Sequence, residues 1–597
     1  MQELSYPFDC DLILSKKRSL KKQLLKEISE TGKKTLKKKI AILGGSTTND
    51  IKNCLELFLL NEGIEPEFYE SEYNQYYQDI MFPNEELEAF MPDLIYVHTS
   101  NRNISQWPKV SDSVEIIEQK LEMSYQHFEG LWKKMENTYR CPVIQNNMEF
   151  PFYRMLGNKD ASDYHGKVNF VGRLNERFYA YARDHENFYI NDINYLSACY
   201  GVDKWADPFY WHMYKYALCV PAIPVLAANV ANIVKAIYGK NKKAFVLDLD
   251  NTLWGGIVGD DGVDNLEVGQ ETSMGQAYSE FQNYLKEHKD MGILLNVCSK
   301  NEEENALAGL NHPDGPLKPE DFIVIKANWE PKSRNIAQIA KELNIGADSL
   351  VFVDDNPAER EIVRQQLGVV AVPEVSTVEH YIHEVDRHGY FEVVNLSKDD
   401  LERNQMYKAN AERAKIEASF ENYEQYLLSL DMNAVVKTFE AVYMSRIAQL
   451  TNKSNQFNLT TKRYSQAEIE EAAADSNRVT LYGKLEDKFG DNGVVSIVIG
   501  RVEKEICHME LWLMSCRVLK RDMEFAMMDT LVHRLKERGV KEIRGYYYPT
   551  AKNAMVKNFY ELQGFTQMNE DADGNTEWQY IIEESYKNKN KVIKVEE

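Results

Sequence analysis

Apolar runs alternate with amphipathic stretches along the first part of the chain. The run KIAILGG at 39–45 ends in paired glycines, and apolar residues then recur at helical spacing over 51–59. A second run, DLIYVH at 93–98, is followed by polar residues. Buried strands that alternate with amphipathic helices are typical of a parallel sheet covered by helices. We therefore predict an α/β domain over residues 1–240.

The same alternation resumes after a charged hinge at 239–243. Apolar runs predict strands, and helical spacing predicts helices, at the following positions: strands at 244–247, 293–298, 322–325 and 350–353, and helices at 273–290 and from residues 302 and 333. This order predicts a second α/β domain over 241–385, with a Rossmann-like parallel sheet.

The pattern changes after residue 385. A charged helical stretch at 386–431 is predicted to be a linker. Beyond it, strands are predicted at 434–438, 478–483, 492–502, 505–513 and 541–547, with helices at 522–538 and 552–562. We predict an α+β domain over 432–597, which makes the whole chain an α/β multidomain protein.

Charge limits the classes of partner. The chain of 597 residues has 93 acidic and 70 basic residues and a formal net charge of -23. Non-specific binding of nucleic acid requires a basic surface, so no nucleic-acid partner is expected. Lysines and one arginine cluster at 16–39, which indicates either a solvated helix face or a contact for an acidic partner.

The cysteines and the apolar stretches indicate the cellular compartment of the protein. The eight cysteines are scattered and form no CxxC pair, so neither a disulfide framework nor a zinc site is indicated, and a reducing cytoplasm is expected. The most apolar stretch, 217–237, contains Pro221 and Pro224. We interpret it as a loop followed by a buried helix, and we predict no membrane span.

Acidic residues follow two of the strands predicted in the second domain. Asp248 and Asp250 come after the run at 244–247, and Asp354 and Asp355 come after the run at 350–353. In an open parallel sheet, functional groups gather at the carboxyl ends of strands. Carboxylates placed together are costly unless a cation neutralises them, and Mg²⁺ prefers carboxylates, water and phosphate. The pattern predicts a magnesium site.

A hydroxyl and an amine accompany these acids. Ser299 follows the strand at 293–298, and its hydroxyl is placed to donate to a phosphoryl oxygen. Lys332 stands at the head of a predicted helix, where an amine beside a helix N-terminus binds phosphate. Together with the acids, these residues predict phosphoryl-transfer chemistry.

These segments, in this order, resemble the haloacid dehalogenase (HAD) superfamily over about residues 241–385. The resemblance implies that Asp248 is the nucleophile and becomes a phosphoaspartate, and that Asp250 is the general acid and base. Thr252 would support the loop as part of the phosphate-binding set. Asp354 would bind Mg²⁺ together with Asp248 and the backbone carbonyl of Asp250, and Asp355 would assist.

The flanking sequences resemble a narrower group. These are LDNTLWGGIVGDDG at 249–262, followed by NVCSKNEEENA, NWEPKSRNIAQIA, FVDDNPAERE, TNKSNQFNLTTKRYS at 451–465 and WLMSCRV at 512–518. They are similar to FkbH-like proteins of HAD subfamily IIIC. The long form of that family implies an SGNH-hydrolase-like first domain, a central phosphatase-like domain and a GNAT acetyltransferase-like third domain.

The FkbH resemblance implies a reaction. Such proteins take a glyceryl group from 1,3-bisphosphoglycerate, remove phosphate and load the phosphopantetheine thiol of an acyl carrier protein for polyketide assembly. Two alternatives stay open. One is a stand-alone phosphatase or phosphotransferase that acts on a small metabolite. The other is an acyltransferase in surface-polysaccharide or lipid assembly that uses the outer domains.

Candidate residues in the outer domains follow from the same resemblance. Ser46 and His212 are the nearest match to an SGNH serine–histidine pair, although four residues separate Asp207 from His212; otherwise the domain is a scaffold or partner-docking module. Asn553 and Tyr560 resemble the last GNAT helix, where a tyrosine protonates a pantetheine thiolate; otherwise Tyr560 is a core residue.

Two further features concern acyl transfer. The segment 517–524, RVLKRDME, lacks the glycines of a GNAT pyrophosphate loop, which disfavours acetyl-CoA but leaves a carrier-borne pantetheine arm open. An acyl intermediate requires a thiol, and Cys298 and Cys516 are the candidates. The alternative is that both are buried apolar residues.

Overall fold

The computed structural model describes residues 1–31, 35–417, 419–454, 456–550 and 552–597. The chain divides into two compact units, Met1–Ile237 and Tyr238–Glu597. The predicted boundary near residue 240 lies close to this division. The finer division into a phosphatase-like domain, a linker and a third domain stays a prediction.

The first unit is a parallel α/β fold. Its strands are β1 (Leu36–Gly44), β2 (Ile64–Glu70), β3 (Leu94–His98), β4 (Val143–Asn146) and β5 (Phe188–Asn191). Its helices are α1 (Cys10–Thr31), α2 (Asn49–Asn61), α3 (Tyr76–Met81), α4 (Glu85–Phe90), α5 (Val114–Tyr139), α6 (Lys167–Asp184), α7 (Ile193–Tyr200), α8 (Val202–Trp205), α9 (Pro208–Tyr214) and α10 (Ile223–Ile237). The strands lie in the order β2-β1-β3-β4-β5. Every residue of β3 and β4 is buried, as expected for central strands with helices on both faces.

The apolar stretch before residue 238 is a buried helix, as predicted. The helical segment Val220–Ile237 is long and apolar enough to cross a membrane by length and composition, yet 61% of it is buried inside the unit. Ile223, Leu226 and Val230 on α10 are fully buried. The lysine-rich stretch pairs in part with acids of the same unit, as Lys17 does with Asp50; its Lys33 and Lys34 lie outside the described residues.

A second parallel sheet opens the second unit. Its elements are β6 (Ala244–Leu247), α11 (Val258–Asp261), α12 (Ser273–Asp290), β7 (Leu294–Ser299), α13 (Glu303–Leu310), β8 (Phe322–Ala327), α14 (Lys332–Glu342), β9 (Leu350–Val353), α15 (Pro357–Gln366) and α16 (Val378–Asp386). The strand order is β8-β7-β6-β9. Strand β6 therefore lies between β7 and β9, and Leu247 is in register with Val297 and Val353.

The rest of the unit is helical at first and then forms a large mixed sheet. Its elements are α17 (Lys398–Leu401), α18 (Arg403–Glu417), α19 (Tyr423–Ser429), β10 (Met432–Lys437), α20 (Met444–Lys453), β11 (Phe457–Asn458), α21 (Gln466–Ala474), β12 (Arg478–Asp487), β13 (Gly490–Glu503), β14 (Ile506–Met514), α22 (Met523–Glu537), β15 (Glu542–Tyr547), α23 (Phe559–Leu562), β16 (Thr566–Glu570), β17 (Thr576–Ile581) and β18 (Ile593–Glu596). The order is β16-β17-β15-β14-β13-β12-β10-β18, and β11 pairs with β14.

Several of these elements differ from the predicted ones. The helix expected at 552–562 is a 3₁₀ turn, Ala554–Val556, followed by the one-turn helix α23. Helices α20 and α21 and strands β11 and β16–β18 were not predicted. Strand β16 has no buried residue, so it lacks the apolar alternation by which a strand is recognised in a sequence.

Buried ion pairs tie the predicted linker to the mixed sheet. Asp487, at the end of β12, accepts hydrogen bonds from Arg413 of α18 at 2.6 Å and from Arg521 at 3.1 Å. All three residues are buried. Because an unpaired buried charge is costly, this cluster holds α18 against the sheet. Arg521 lies in the segment 517–524, which corresponds to the pyrophosphate loop of GNAT enzymes in the resemblance. Its guanidinium forms an internal ion pair with Asp487.

Candidate active site

The predicted phosphoryl site assembles at the carboxyl edge of the second sheet. Asp248 follows β6, Asp354 follows β9, and Ser299 is the last residue of β7. Because the three strands are adjacent and parallel, their ends meet at one edge. The backbone N–H of Asp248 donates to the carbonyl of Val353 at 3.0 Å, which draws the two acidic turns together.

Lys332 joins the two acidic strand ends. It is the first residue of α14, and its Nζ lies 2.9 Å from Asp248 Oδ2 and 2.5 Å from Asp354 Oδ2. The three side chains are almost fully buried. Burial alone disfavours the ammonium form, but the two carboxylates outweigh it and raise the pKa of Lys332. The amine is therefore fully charged where a phosphoryl group would sit.

Three carboxylates are close enough to share a metal ion. Ligand oxygens of Asp248, Asp354 and Asp355 all lie within 4.8 Å of one another. Asp248 Oδ1 is buried and has no hydrogen-bond partner among the described residues. Burial, and then the charge of Asp248, raises the pKa of Asp354. An unpartnered buried oxygen in a crowded acidic cluster fits a hard divalent cation such as Mg²⁺.

Asp250 lies in a different environment from Asp248. Its Oδ1 accepts hydrogen bonds from the Trp254 indole and the Val258 backbone N–H, both at 3.0 Å, and its Oδ2 accepts from Asn301 Nδ2 at 2.9 Å. All three donors are uncharged. Burial is the main cause that raises the pKa of Asp250, and the nearby charge of Asp248 adds to it. A carboxyl that retains its proton more readily is suited to general acid catalysis.

The structure shows where the side chains of Asp250, Asp355 and Thr252 turn. The Asp250 carboxylate is turned towards Trp254 and Asn301, which leaves its backbone carbonyl as the predicted metal ligand, and Asp355 lies in the acidic cluster with Asp248 and Asp354. Thr252 is fully buried, and its hydroxyl accepts a hydrogen bond from the Asp355 backbone N–H at 3.1 Å. Thr252 is therefore placed to support the 354–355 turn, as the resemblance implied, and its part in binding phosphate stays a prediction.

Ser299 is placed as the sequence predicts. It lies at the strand end beside Asp248 and is 2% exposed. Its hydroxyl makes no hydrogen bond to any residue that the structure describes, so it is available to a ligand. Its neighbour Cys298 is different: the thiol is fully buried, lies 3.6 Å from the Lys332 carbonyl, and has its pKa raised to about 12 by burial. Cys298 is therefore badly placed to carry an acyl group.

The predicted serine–histidine pair of the first unit forms no mutual hydrogen bond in the described part of the chain. Ser46 is buried, and its hydroxyl has no hydrogen-bond partner in the described part of the chain. His212 is exposed on α9. No hydrogen bond links the two side chains among the described residues. A serine without a base is not an activated nucleophile.

Strand β11 joins the third sheet where β14 and β15 diverge, and a cavity of about 300 Å³ remains there, lined by residues that include Thr460, His508 and Tyr546. The parallel strands β14 and β15 pair only over Ile506–His508 and Glu542–Arg544. Further along, β11 takes the place of β15 beside β14, and the backbone of Leu459 accepts from Tyr548 N–H and donates to the Trp512 carbonyl. The TNKSNQFNLTTKRYS segment, whose Asn455 lies outside the described residues, thus supplies a strand to its own sheet.

Two of the three acyl-transfer candidates in this part of the chain, Tyr560 and Asn553, are fully buried. Tyr560 is fully buried, and its ring lies where a Cβ on Gly545 would be. Asn553 is fully buried, and its amide donates to the carbonyls of Asn458 and Tyr548. Cys516 is half-buried, and its carbonyl accepts from Asn344. The structure therefore favours the alternative that Tyr560 is a core residue. The Asn553 amide holds β11 through its hydrogen bond to the Asn458 carbonyl.

Sequence reasoning missed three residues that position the site. Trp254 and Asn301 hold Asp250, and Arg360 donates to the carbonyls of Asp354 and Asp355 at 2.8 Å each. Trp254 and Asn301 lie inside LDNTLWGG and NVCSKN, so the motifs marked the right segments. Only the fold shows which of their side chains turn towards Asp250.

Comparison with known proteins shows the family to which the chain belongs. Residues 39–235 match the family model of the FkbH N-terminal domain. The crystal structure of the N-terminal part of BF1531 from Bacteroides fragilis, which contains a phosphatase domain and was complexed with Mg, is 30% identical. The match covers 64% of this chain and 98% of the BF1531 chain, with a TM-score of 0.58. The chain belongs to the BF1531 family. Its relationship to a protein with a phosphatase domain agrees with phosphatase-type chemistry at the second sheet.

The remaining comparisons add little. The ribosomal-protein-S18-alanine N-acetyltransferase of Escherichia coli is 14% identical, covers 26% of this chain and 97% of its own, and has a TM-score of 0.21. A GNAT-family acetyltransferase of Streptococcus pneumoniae is 11% identical, covers 25% and 100%, and has a TM-score of 0.22. These scores support no conclusion about this chain. No curated protein matches it. The SGNH-like and GNAT-like assignments stay predictions.

Proposed function

We propose that this BF1531-family protein is a Mg²⁺-dependent phosphoryl-transfer enzyme that acts through an aspartyl phosphate on Asp248. We further propose that the protein transfers a glyceryl group from 1,3-bisphosphoglycerate to an acyl carrier protein: Asp248 removes the 3-phosphate ester, and the carrier thiol attacks the acyl carbon and expels the 1-phosphate. The observation that carries the first proposal is the meeting of Asp248, Asp354 and Lys332 at adjacent strand ends, with Lys332 bonded to both carboxylates.

Each residue has a defined step. The Asp248 carboxylate attacks phosphorus in line with the leaving oxygen, while Lys332 and Ser299 bind the equatorial phosphoryl oxygens. Asp250 gives a proton to the leaving oxygen, because burial raises the pKa of its carboxyl. It then takes a proton from the incoming hydroxyl, which releases phosphate from Asp248 and restores both residues.

Asp248, Asp354 and Asp355 would hold the cation. When bound, Mg²⁺ neutralises the charge that gathers on the phosphoryl oxygens. The BF1531 structure, which was complexed with Mg, supports this choice of metal. Thr252 and Arg360 keep the 354–355 turn in place by binding its backbone.

The glyceryl-transfer part of the proposal rests on resemblance. The match to the FkbH N-terminal domain and the FkbH-like sequences around the second sheet support it. One observation favours the alternative, a phosphatase that acts on a small metabolite. Cys298, the thiol beside the phosphoryl site, is fully buried, so it does not offer an exposed nucleophile for acyl transfer.

One experiment separates the two. The protein is incubated with Mg²⁺, 1,3-bisphosphoglycerate and a phosphopantetheinylated carrier protein, and phosphate release and intact carrier mass are measured together. A glyceryl adduct supports the coupled reaction, whereas phosphate release without an adduct supports the phosphatase. Asp248→Asn should reduce either product by at least ~10³-fold.

The control is Asp264→Asn, which removes an exposed carboxylate of the same unit and should leave both products unchanged. Full activity in Asp248→Asn would refute the nucleophile assignment. Absence of phosphate release by the unmodified protein from 1,3-bisphosphoglycerate and from every phosphate monoester tried would refute the phosphoryl-transfer proposal itself.

A further inference from the structure

The first unit contains a cavity that the phosphoryl chemistry does not use. It has a volume of about 330 Å³ and lies between the loop that follows β3 and the helices α3 and α5. This volume is at the lower end of the range for small-molecule sites, about 300–1,000 Å³. Residues from three separate elements line it, so it is part of the folded unit and not a groove within one loop.

The lining of the cavity contains no acidic side chain among the described residues. The whole chain has 93 acidic and 70 basic residues. None of the eleven described residues that line the cavity is Asp or Glu, and Arg102 supplies a positive charge. An acid-free lining within an acidic protein favours an anionic ligand, because no carboxylate repels it.

Arg102 is held in place by aromatic rings and not by an acid. Its guanidinium carbon lies 4.9 Å from the ring centroid of Trp211 and 5.9 Å from that of Phe152. Its side chain forms no ion pair or hydrogen bond with the residues that the structure describes. Stacking on aromatic faces restrains a guanidinium and leaves its edge N–H groups free to bind an anion.

A buried acid close to Arg102, Glu149, does not cancel this charge. Glu149 is 1% exposed, and its Oε2 accepts from the backbone N–H of Asn101, the residue before Arg102. Burial raises the pKa of Glu149 to about 8, although Arg102 opposes the shift. The carboxyl is therefore mostly neutral at pH 7, and the charge of Arg102 is left for a ligand.

Other polar groups of the lining complete the site. The Asn103 side chain is fixed by the carbonyl of Gly45 and by Asn74 Oδ1, which orients the Asn74 amide. Gln78 is exposed, and its side chain has no hydrogen-bond partner among the described residues. His127 stacks on Tyr77 with 4.5 Å between ring centroids, which gives the cavity one flat wall.

We propose that this cavity binds a small anion, a carboxylate or a phosphate ester, through the guanidinium of Arg102. The site lies in the unit that matches the FkbH N-terminal domain and is separate from Asp248, so the proposal goes beyond the phosphoryl-transfer function and does not depend on it. It gives the first unit a ligand-binding task that requires neither Ser46 nor His212.

The test is calorimetric titration of the full chain in EDTA, with inorganic phosphate in one arm and malonate in the other. The arm that gives saturable heat identifies the anion class. Arg102→Gln should weaken that binding at least ~10-fold, because one charge-assisted contact is lost. Gln78→Glu should weaken it similarly, because an exposed side chain of the same size introduces a carboxylate into the lining.

The matched control is Arg183→Gln, an exposed arginine of the same unit that pairs with Glu176, and it should bind like the parent. Thermal melting of each variant checks that it is folded. Saturable heat that Arg102→Gln and Gln78→Glu leave unchanged would overturn the proposal, as would the absence of saturable heat in the parent with both probes.

Discussion

At the residue scale, Asp248 and Asp250 differ in the charge of their partners. Asp248 shares the charged amine of Lys332 with Asp354, whereas Asp250 is held by the uncharged donors Trp254, Asn301 and the Val258 backbone. Burial among uncharged donors raises the pKa of Asp250, so its carboxyl retains a proton more readily than an exposed one. One strand end thus provides both a nucleophile and a proton donor.

The amide of Asn301 should matter for rate and not for binding. Asn301→Ala removes the donor to Asp250 Oδ2 and leaves the carboxyl less well oriented. We expect kcat on a phosphate monoester to fall by about 10–10²-fold with little change in KM. Asn311→Ala is the control, because that amide donates only to the Leu307 carbonyl at the end of α13. Equal kcat values for the two variants would contradict a positioning role for Asn301.

At the element scale, a short strand from a distant part of the chain completes the third sheet. Strand β11 pairs with β14 where β15 has diverged. The backbone of Leu459, directly after β11, bonds to Trp512 of β14 on one side and to Tyr548, directly after β15, on the other. Unpaired backbone groups inside a sheet would be costly, so the inserted segment satisfies them. The pairing explains the conformation of a motif whose residues carry no evident chemistry.

Asn553 should control how firmly this segment is held. Asn553→Ala removes a fully buried amide that donates to Asn458 and Tyr548, and it leaves those carbonyls without this donor. We expect a loss of about 1–3 kcal/mol, seen as faster hydrogen exchange over 457–460 and at Tyr548. Asn575→Ala, in the turn before β17, is the control. Unchanged exchange in Asn553→Ala would show that other contacts hold the segment.

At the scale of the whole molecule, the first unit contains a carboxyl that folding protonates. The pKa of Glu149 is 4.5 in an exposed chain and about 8 in the folded unit, because burial disfavours the charged form. Between these values the folded state holds a proton that the unfolded state has lost. Its contribution to stability is complete below about pH 4.5 and is lost as pH rises through about 8.

Glu149→Gln should remove this pH dependence. From pH 6.5 to 9, the stability of the parent falls by about 2 kcal/mol through this group, and the variant should not show that fall. Calorimetric melting of both proteins at the two pH values measures it: the variant should gain on the parent at pH 9. The same difference in Tm at both pH values would exclude Glu149 as the titrating group.

Much of the second sheet could be predicted because its signals are local. Apolar runs marked β6 to β9 to within about two residues, and the acids, Ser299 and Lys332 stood directly after strands or at a helix start. The third sheet was predicted less well. Strand β11 has two residues and β16 has no buried residue, so neither shows the alternation of a half-buried strand.

The amino-acid sequence by itself determined which groups stand at the ends of which strands, because strand periodicity and parallel order are properties of local composition. Only the tertiary structure decided where the side chains turn: Asp250 towards Trp254, Asp355 into the acidic cluster, and Cys298 and Tyr560 into the core. The physical reason is that these orientations depend on packing and hydrogen bonds between residues far apart in the chain, and local pattern contains no information on those partners.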